Sequence, residues 1–175
     1  MPDRLSEPEI YVYSKRFLRG RGWTLVGGEP PGGSDGLPRI EAKHPDKVKK
    51  GSKGSKKVDI IAYRDGHLLL LELKSRFDGD DVAKLDELAG DPRWRRSFLD
   101  ACEERNAFSR AGLVDSTLPA RIRSGEALVK AIGVGHEARV PSEYALLTLR
   151  SPTDIDATVG GDCPLDPTAF EAKAD

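Results

Sequence analysis

The segment Lys56–Phe77, KKVDIIAYRDGHLLLLELKSRF, decides the fold. Two apolar runs flank Asp65-Gly66, a dipeptide suited to a type I′ turn because both of its central positions need positive φ. That turn predicts a β-hairpin in which residues whose numbers sum to 131 lie opposite one another. Arg64 then faces His67, Ile61 faces Leu70, and Asp59 faces Glu72. Lys74, two residues beyond Glu72, projects from the same face. Both faces are otherwise apolar, which predicts an inner strand pair covered on two sides. The sequence therefore sets two carboxylates across a buried hairpin, with Cβ atoms roughly 5 Å apart.

Working outward, Ser6 and Glu9 form a capping-box pattern that starts a helix carrying Ile10, Tyr13, Phe17 and Leu18. TLVGG, within WTLVGG, reads as a first strand. Residues 28–56, rich in Pro, Gly and Lys, read as a flexible basic loop. After the hairpin, FDGDDVAKLDELAG predicts a helix capped by Asp80 or Asp81, with Val82, Leu85, Leu88 and Ala89 at helical spacing. Asp91-Pro92 restarts a helix bearing Trp94, Phe98 and Cys102. ALVKAIGVG and YALLTLRS read as later strands. The order predicts an α/β fold, a mixed central sheet flanked by helices, in a single domain over residues 1–151. Residues 152–175 read as an acidic, loosely ordered tail.

A third of the 175 residues are charged, and acids and bases nearly balance. That composition suits a soluble globular chain rather than a disordered one. No apolar run approaches the ~18 residues of a membrane helix, and MPDRLSEPEI has no signal-like apolar segment. The two cysteines, Cys102 and Cys163, form neither a zinc spacing nor a disulfide framework. A cytoplasmic protein without membrane contact is the expectation. Charge is uneven: residues 43–57 hold seven lysines against one acid, and residues 152–175 six acids against one lysine. The first of these runs leads straight into the hairpin, where a polyanion could meet it.

Like charges facing each other in a buried sheet are destabilising unless a cation lies between them. Oxygen ligands suit Mg²⁺, which binds through one or two carboxylates and keeps several waters. Lys74 would add a point charge able to orient a water or stabilise a charged transition state. The plainer reading is that Lys74 merely neutralises two strand-end acids. No rival nucleophile system is visible, because His44, His67 and His136 have no partner at a useful spacing. GGEPPGGSDG, residues 27–36, lacks the lysine and following helix of a phosphate-binding loop.

Asp59 in KVDII, with Glu72 and Lys74 in LELKS, resembles the motif of the PD-(D/E)XK nuclease superfamily. Val58 stands where that motif has proline. The resemblance implies a restriction-endonuclease-like α-β-β-β-α-β core spanning about Ser6 to Gly135. It also implies that Asp59, Glu72 and the Leu73 backbone carbonyl hold Mg²⁺, with Mn²⁺ as a substitute. Lys74 would position the attacking water, and Glu9, or Glu7 in its stead, would join the metal from the first helix. Arg16, Arg19, Lys53, Lys56, Lys57 and Lys84 are the expected nucleic-acid contacts. The implied function is a metal-dependent DNA endonuclease in restriction, defence, repair or recombination, working as a homodimer or with a specificity partner. A non-catalytic nucleic-acid-binding module of the same fold and an RNA-directed nuclease are the alternatives.

Overall fold

The computed structural model describes residues 4–46 and 54–173. Helix α1 (Glu7–Gly20) leads into strand β1 (Thr24–Gly28), and two short strands follow, β2 (Glu41–Ala42) and β3 (Lys56–Lys57). The hairpin is β4 (Ile60–Arg64) and β5 (His67–Lys74). Four helices come next: α2 (Asp80–Gly90), α3 (Pro92–Glu104), α4 (Ala107–Arg110) and α5 (Leu118–Ser124). Strands β6 (Leu128–Val134), β7 (Ala145–Leu149) and β8 (Ile155–Val159) complete the chain.

The hairpin forms as its turn requires. Asp65 and Gly66 adopt φ of 49° and 85°, and the register pairs Arg64 with His67 and Ile61 with Leu70. Around it runs a six-stranded mixed sheet in the order β1-β4-β5-β6-β7-β8. β1 and β4 are antiparallel, as are β4 and β5; β5, β6 and β7 are parallel; β8 returns antiparallel to β7. Side chains alternate along β5, so Leu68 and Leu70 join one core with Leu85, Leu88, Trp94 and Phe98 of α2 and α3. Leu69, Leu71 and Leu73 join the other, with Ile10, Tyr11 and Leu18 of α1. Helices thus cover both faces, which is why the inner strands read as continuous apolar runs.

α1 starts with the expected reciprocal cap between Ser6 and Glu9. Gly28, at the end of β1, is fixed by α1: a Cβ there would lie 2.2 Å from the Tyr11 hydroxyl. That hydroxyl donates to Asp35 Oδ2 at 2.7 Å, and Lys15 Nζ meets the same oxygen at 2.5 Å. The 29–40 segment is thereby pinned to the helix.

Three regions depart from the sequence reading. The middle of the 28–56 loop, at β2, pairs with its C-terminal end, at β3, as a second, two-stranded sheet, and Ile40 and Ala42 bury against the α3 side. α2 is not capped by Asp80 or Asp81; Gly79 takes that position and makes no side-chain cap. Residues 152–173 are no loose tail. They supply edge strand β8 and then bury Leu165, Ala169 and Phe170. Phe170 stacks on Trp23 with centroids 5.4 Å apart, and Trp23 Nε1 donates to the Ala169 carbonyl at 2.9 Å. The acidic residues between those anchors masked their packing role. No helix among the described residues is long and apolar enough to cross a membrane.

Candidate functional site

Asp59 sits one residue before β4, held from two sides. Its carbonyl accepts the Glu29 N–H at 2.9 Å, and its Oδ2 accepts the Leu73 N–H at 2.8 Å. Leu73 lies between Glu72 and Lys74, so this bond locks the aspartate onto the strand that carries the other two residues. The register places Asp59 across from Glu72, continuing the pairing of Ile60 with Leu71. Asp59, Glu72, Lys74 and the Leu73 backbone therefore come together at one end of the sheet, beside α2.

Glu72 is 3 % exposed. Burial first, and then the Asp59 carboxylate, push its pKa up to about 9, against the pull of Lys84. Lys84 Nζ lies 2.7 Å from Glu72 Oε1, though off the hydrogen-bonding direction, so that oxygen has an ion pair but no hydrogen-bond donor among the described residues. Lys84 is thus tied to the site itself rather than offered to a nucleic-acid strand.

Lys74 is kept protonated. The Asp81 carboxylate is the largest influence, opposed by partial burial and reinforced by Asp78, Glu7 and Asp59. Asp81, expected as a helix cap, instead lies beside Lys74. It is 7 % exposed, its Oδ2 lacks a hydrogen-bond partner, and burial pushes its pKa up. The signal was present: Asp81 stands four and seven residues before Leu85 and Leu88, on the helix's buried stripe.

The structure separates the two glutamates of α1. The Glu9 carboxylate is engaged by Ser6, accepting its N–H at 3.1 Å and its hydroxyl at 2.9 Å. Those two bonds hold its pKa down. Glu7, also in the first turn, is the one whose field reaches Lys74.

The expected nucleic-acid contacts divide. Lys57 is exposed beside the site, 3.8 Å from Glu29. Lys56 folds back, 3.0 Å from Glu87 and 4.7 Å from the Trp94 ring centroid. Arg16 lies over Tyr13, and Arg19 sits in the last turn of α1, roughly 18 Å along the helix from Glu7. Lys53 lies outside the described residues. A cleft of ≈ 640 Å³ opens on the Lys57 side, lined by Arg39, Lys43, Lys57 and Arg105, with Glu41 and Glu104. Arg39, Lys43 and Arg105 are brought to Lys57 by the topology and not by closeness in sequence.

Among the described residues no three His, Cys, Asp or Glu side chains form a ready metal cage. Two facing carboxylates, one with an oxygen lacking a hydrogen-bond donor, nevertheless fit Mg²⁺, an ion that takes few protein ligands and retains water. No family model, no curated protein and no solved structure matches this chain.

Proposed function

We propose that this chain is a metal-dependent DNA endonuclease of the restriction-endonuclease-like fold. The observation that carries the reading is the bond from the Leu73 N–H to Asp59 Oδ2, which sets Asp59 and Glu72 face to face with Lys74 alongside. The mixed sheet, with its antiparallel hairpin followed by parallel β5, β6 and β7, supports the fold assignment.

Asp59, Glu72 and the Leu73 carbonyl would hold Mg²⁺, with Mn²⁺ as a substitute. The bound ion would supply Lewis-acid polarisation of the phosphodiester and a lowered pKa for a coordinated water. Lys74, held as an ammonium, acts as a donor and not as a general base. It orients the attacking water and stabilises the negative charge that builds on the phosphoryl oxygens. Glu7 is better placed than Glu9 to add a carboxylate from α1. Arg39, Lys43, Lys57 and Arg105 would hold the phosphate backbone, giving affinity without sequence readout. Cutting both strands with one such site per chain calls for a dimer or a partner protein.

The test is plasmid cleavage by the purified protein with Mg²⁺, Mn²⁺ or EDTA, beside Asp59→Ala and Lys74→Ala. Metal-dependent nicking or linearisation that both variants lose is the expected result. Salt-sensitive DNA binding without cleavage would favour a binding module, and cleavage of RNA alone would move the substrate. Variants that cut like the wild type would overturn the site.

A further inference from the structure

One of the two facing carboxylates is met by a cation of the chain itself. Lys84 Nζ is 2.7 Å from Glu72 Oε1, on a carboxylate that would hold the metal. The pair is sheltered, with the Glu72 side chain 3 % exposed and that of Lys84 28 %. Two cations cannot share one carboxylate oxygen at that distance in a low-dielectric setting without strong repulsion. A lysine stem is long and freely rotating, so the ammonium can withdraw while its helix stays put. One turn earlier on the same face of α2, Asp81 presents a buried Oδ2 with no hydrogen-bond partner among the described residues.

We infer that the Lys84 ammonium occupies the place beside Glu72 that a divalent cation must take on binding, and that Asp81 receives it when it is displaced. The inference rests on the metal site proposed above and adds a control on its occupancy. The ammonium stands against the Glu72 oxygen in the metal-free site. It also lowers the affinity for metal, so that loading follows metal concentration instead of being saturated at trace levels. Removing the ammonium should therefore tighten metal binding, the opposite of what loss of an ordinary site residue does.

The experiment titrates the full chain with Mn²⁺, following free Mn²⁺ by electron paramagnetic resonance, in wild type, Lys84→Met, Lys84→Gln and Glu72→Gln. Lys84→Met should bind Mn²⁺ about tenfold more tightly than wild type. Lys84→Gln, which keeps a polar neighbour for Glu72, should change in the same direction and serves if Lys84→Met does not fold. In the wild type, Ca²⁺ should shift the Lys84 side-chain NMR resonance, a readout that needs no substitution. Equal or weaker Mn²⁺ binding in the Lys84 variants, with wild-type binding intact and lost in Glu72→Gln, would overturn this inference alone. Binding unaffected by Glu72→Gln, or absent from every protein, would overturn the metal site and this inference with it.

Discussion

Asp59 accepts the main-chain N–H of Leu73, the residue between Glu72 and Lys74, at 2.8 Å. The aspartate is thus fastened to the strand that carries Glu72 and Lys74. Asparagine can keep the acceptor while losing the charge. Asp59→Asn should retain the wild-type melting temperature within a degree or two and lose metal-dependent cleavage. Asp59→Ala should lose cleavage and about 1 kcal/mol of stability as well. Calorimetry alongside the plasmid assay separates the two effects. Equal destabilisation by both variants would show that the Leu73 bond does not orient the site.

Glu72 gives a stability prediction with a defined pH window. Its folded pKa of about 9 lies above the ordinary 4.5, so folding takes up a proton. Stability from this group is full below about pH 4.5 and falls as pH rises toward 9. Glu72→Gln removes that dependence. At pH 8 without metal the variant should be more stable by about 1 to 3 kcal/mol, and the gain should vanish near pH 4. Denaturant unfolding at the two pH values checks this; a variant less stable than wild type at pH 8 would contradict the burial argument.

The proposed function puts DNA along the cleft rather than along α1. Lys57→Ala with Arg105→Ala should weaken DNA binding several-fold and flatten its salt dependence by roughly 0.9 in log–log slope for each phosphate no longer neutralised. Arg16→Ala with Arg19→Ala should leave both nearly unchanged. Fluorescence anisotropy at several salt concentrations would distinguish the two surfaces, and a larger effect from the α1 pair would reverse the assignment.

The C-terminal segment is part of the core. Phe170 packs on Trp23 and Phe17, with ring centroids 5.4 and 6.5 Å away. Phe170→Ala should cost about 3 kcal/mol in chemical denaturation. A chain ending at residue 151 should not fold cooperatively, because it also lacks β8. A cooperative, wild-type-like transition in that fragment would make residues 152–173 an appendage.

How much of this was legible beforehand depended on whether the determining contacts were local. The Asp65-Gly66 turn fixed the hairpin register, and through it the meeting of Asp59 with Glu72, because turn geometry acts over two residues. The capping box and the Asp91-Pro92 start were legible for the same reason. Three-dimensional proximity was not. The pairing of Lys84 with Glu72 spans a helix and a strand, and Asp81 was misread because an acid at a helix start usually faces solvent. β8 was hidden by its alternation of apolar residues with Asp156 and Thr158, which reads as polar until β7 is there to pair with it.

One consequence concerns the order in which the chain is made. Arg64, at the turn end of the hairpin, donates to the carbonyls of Arg21, Ala169 and Glu171, joining the end of α1 to the last described residues. That clasp closes only after Glu171 has left the ribosome. Until then the side of the sheet under α1 keeps Trp23 and Phe17 without their partner, and before β8 emerges β7 keeps an open edge as well. A chain that stalls before Phe170 is therefore a sticky intermediate, exposed to the proteases that patrol nascent polypeptides.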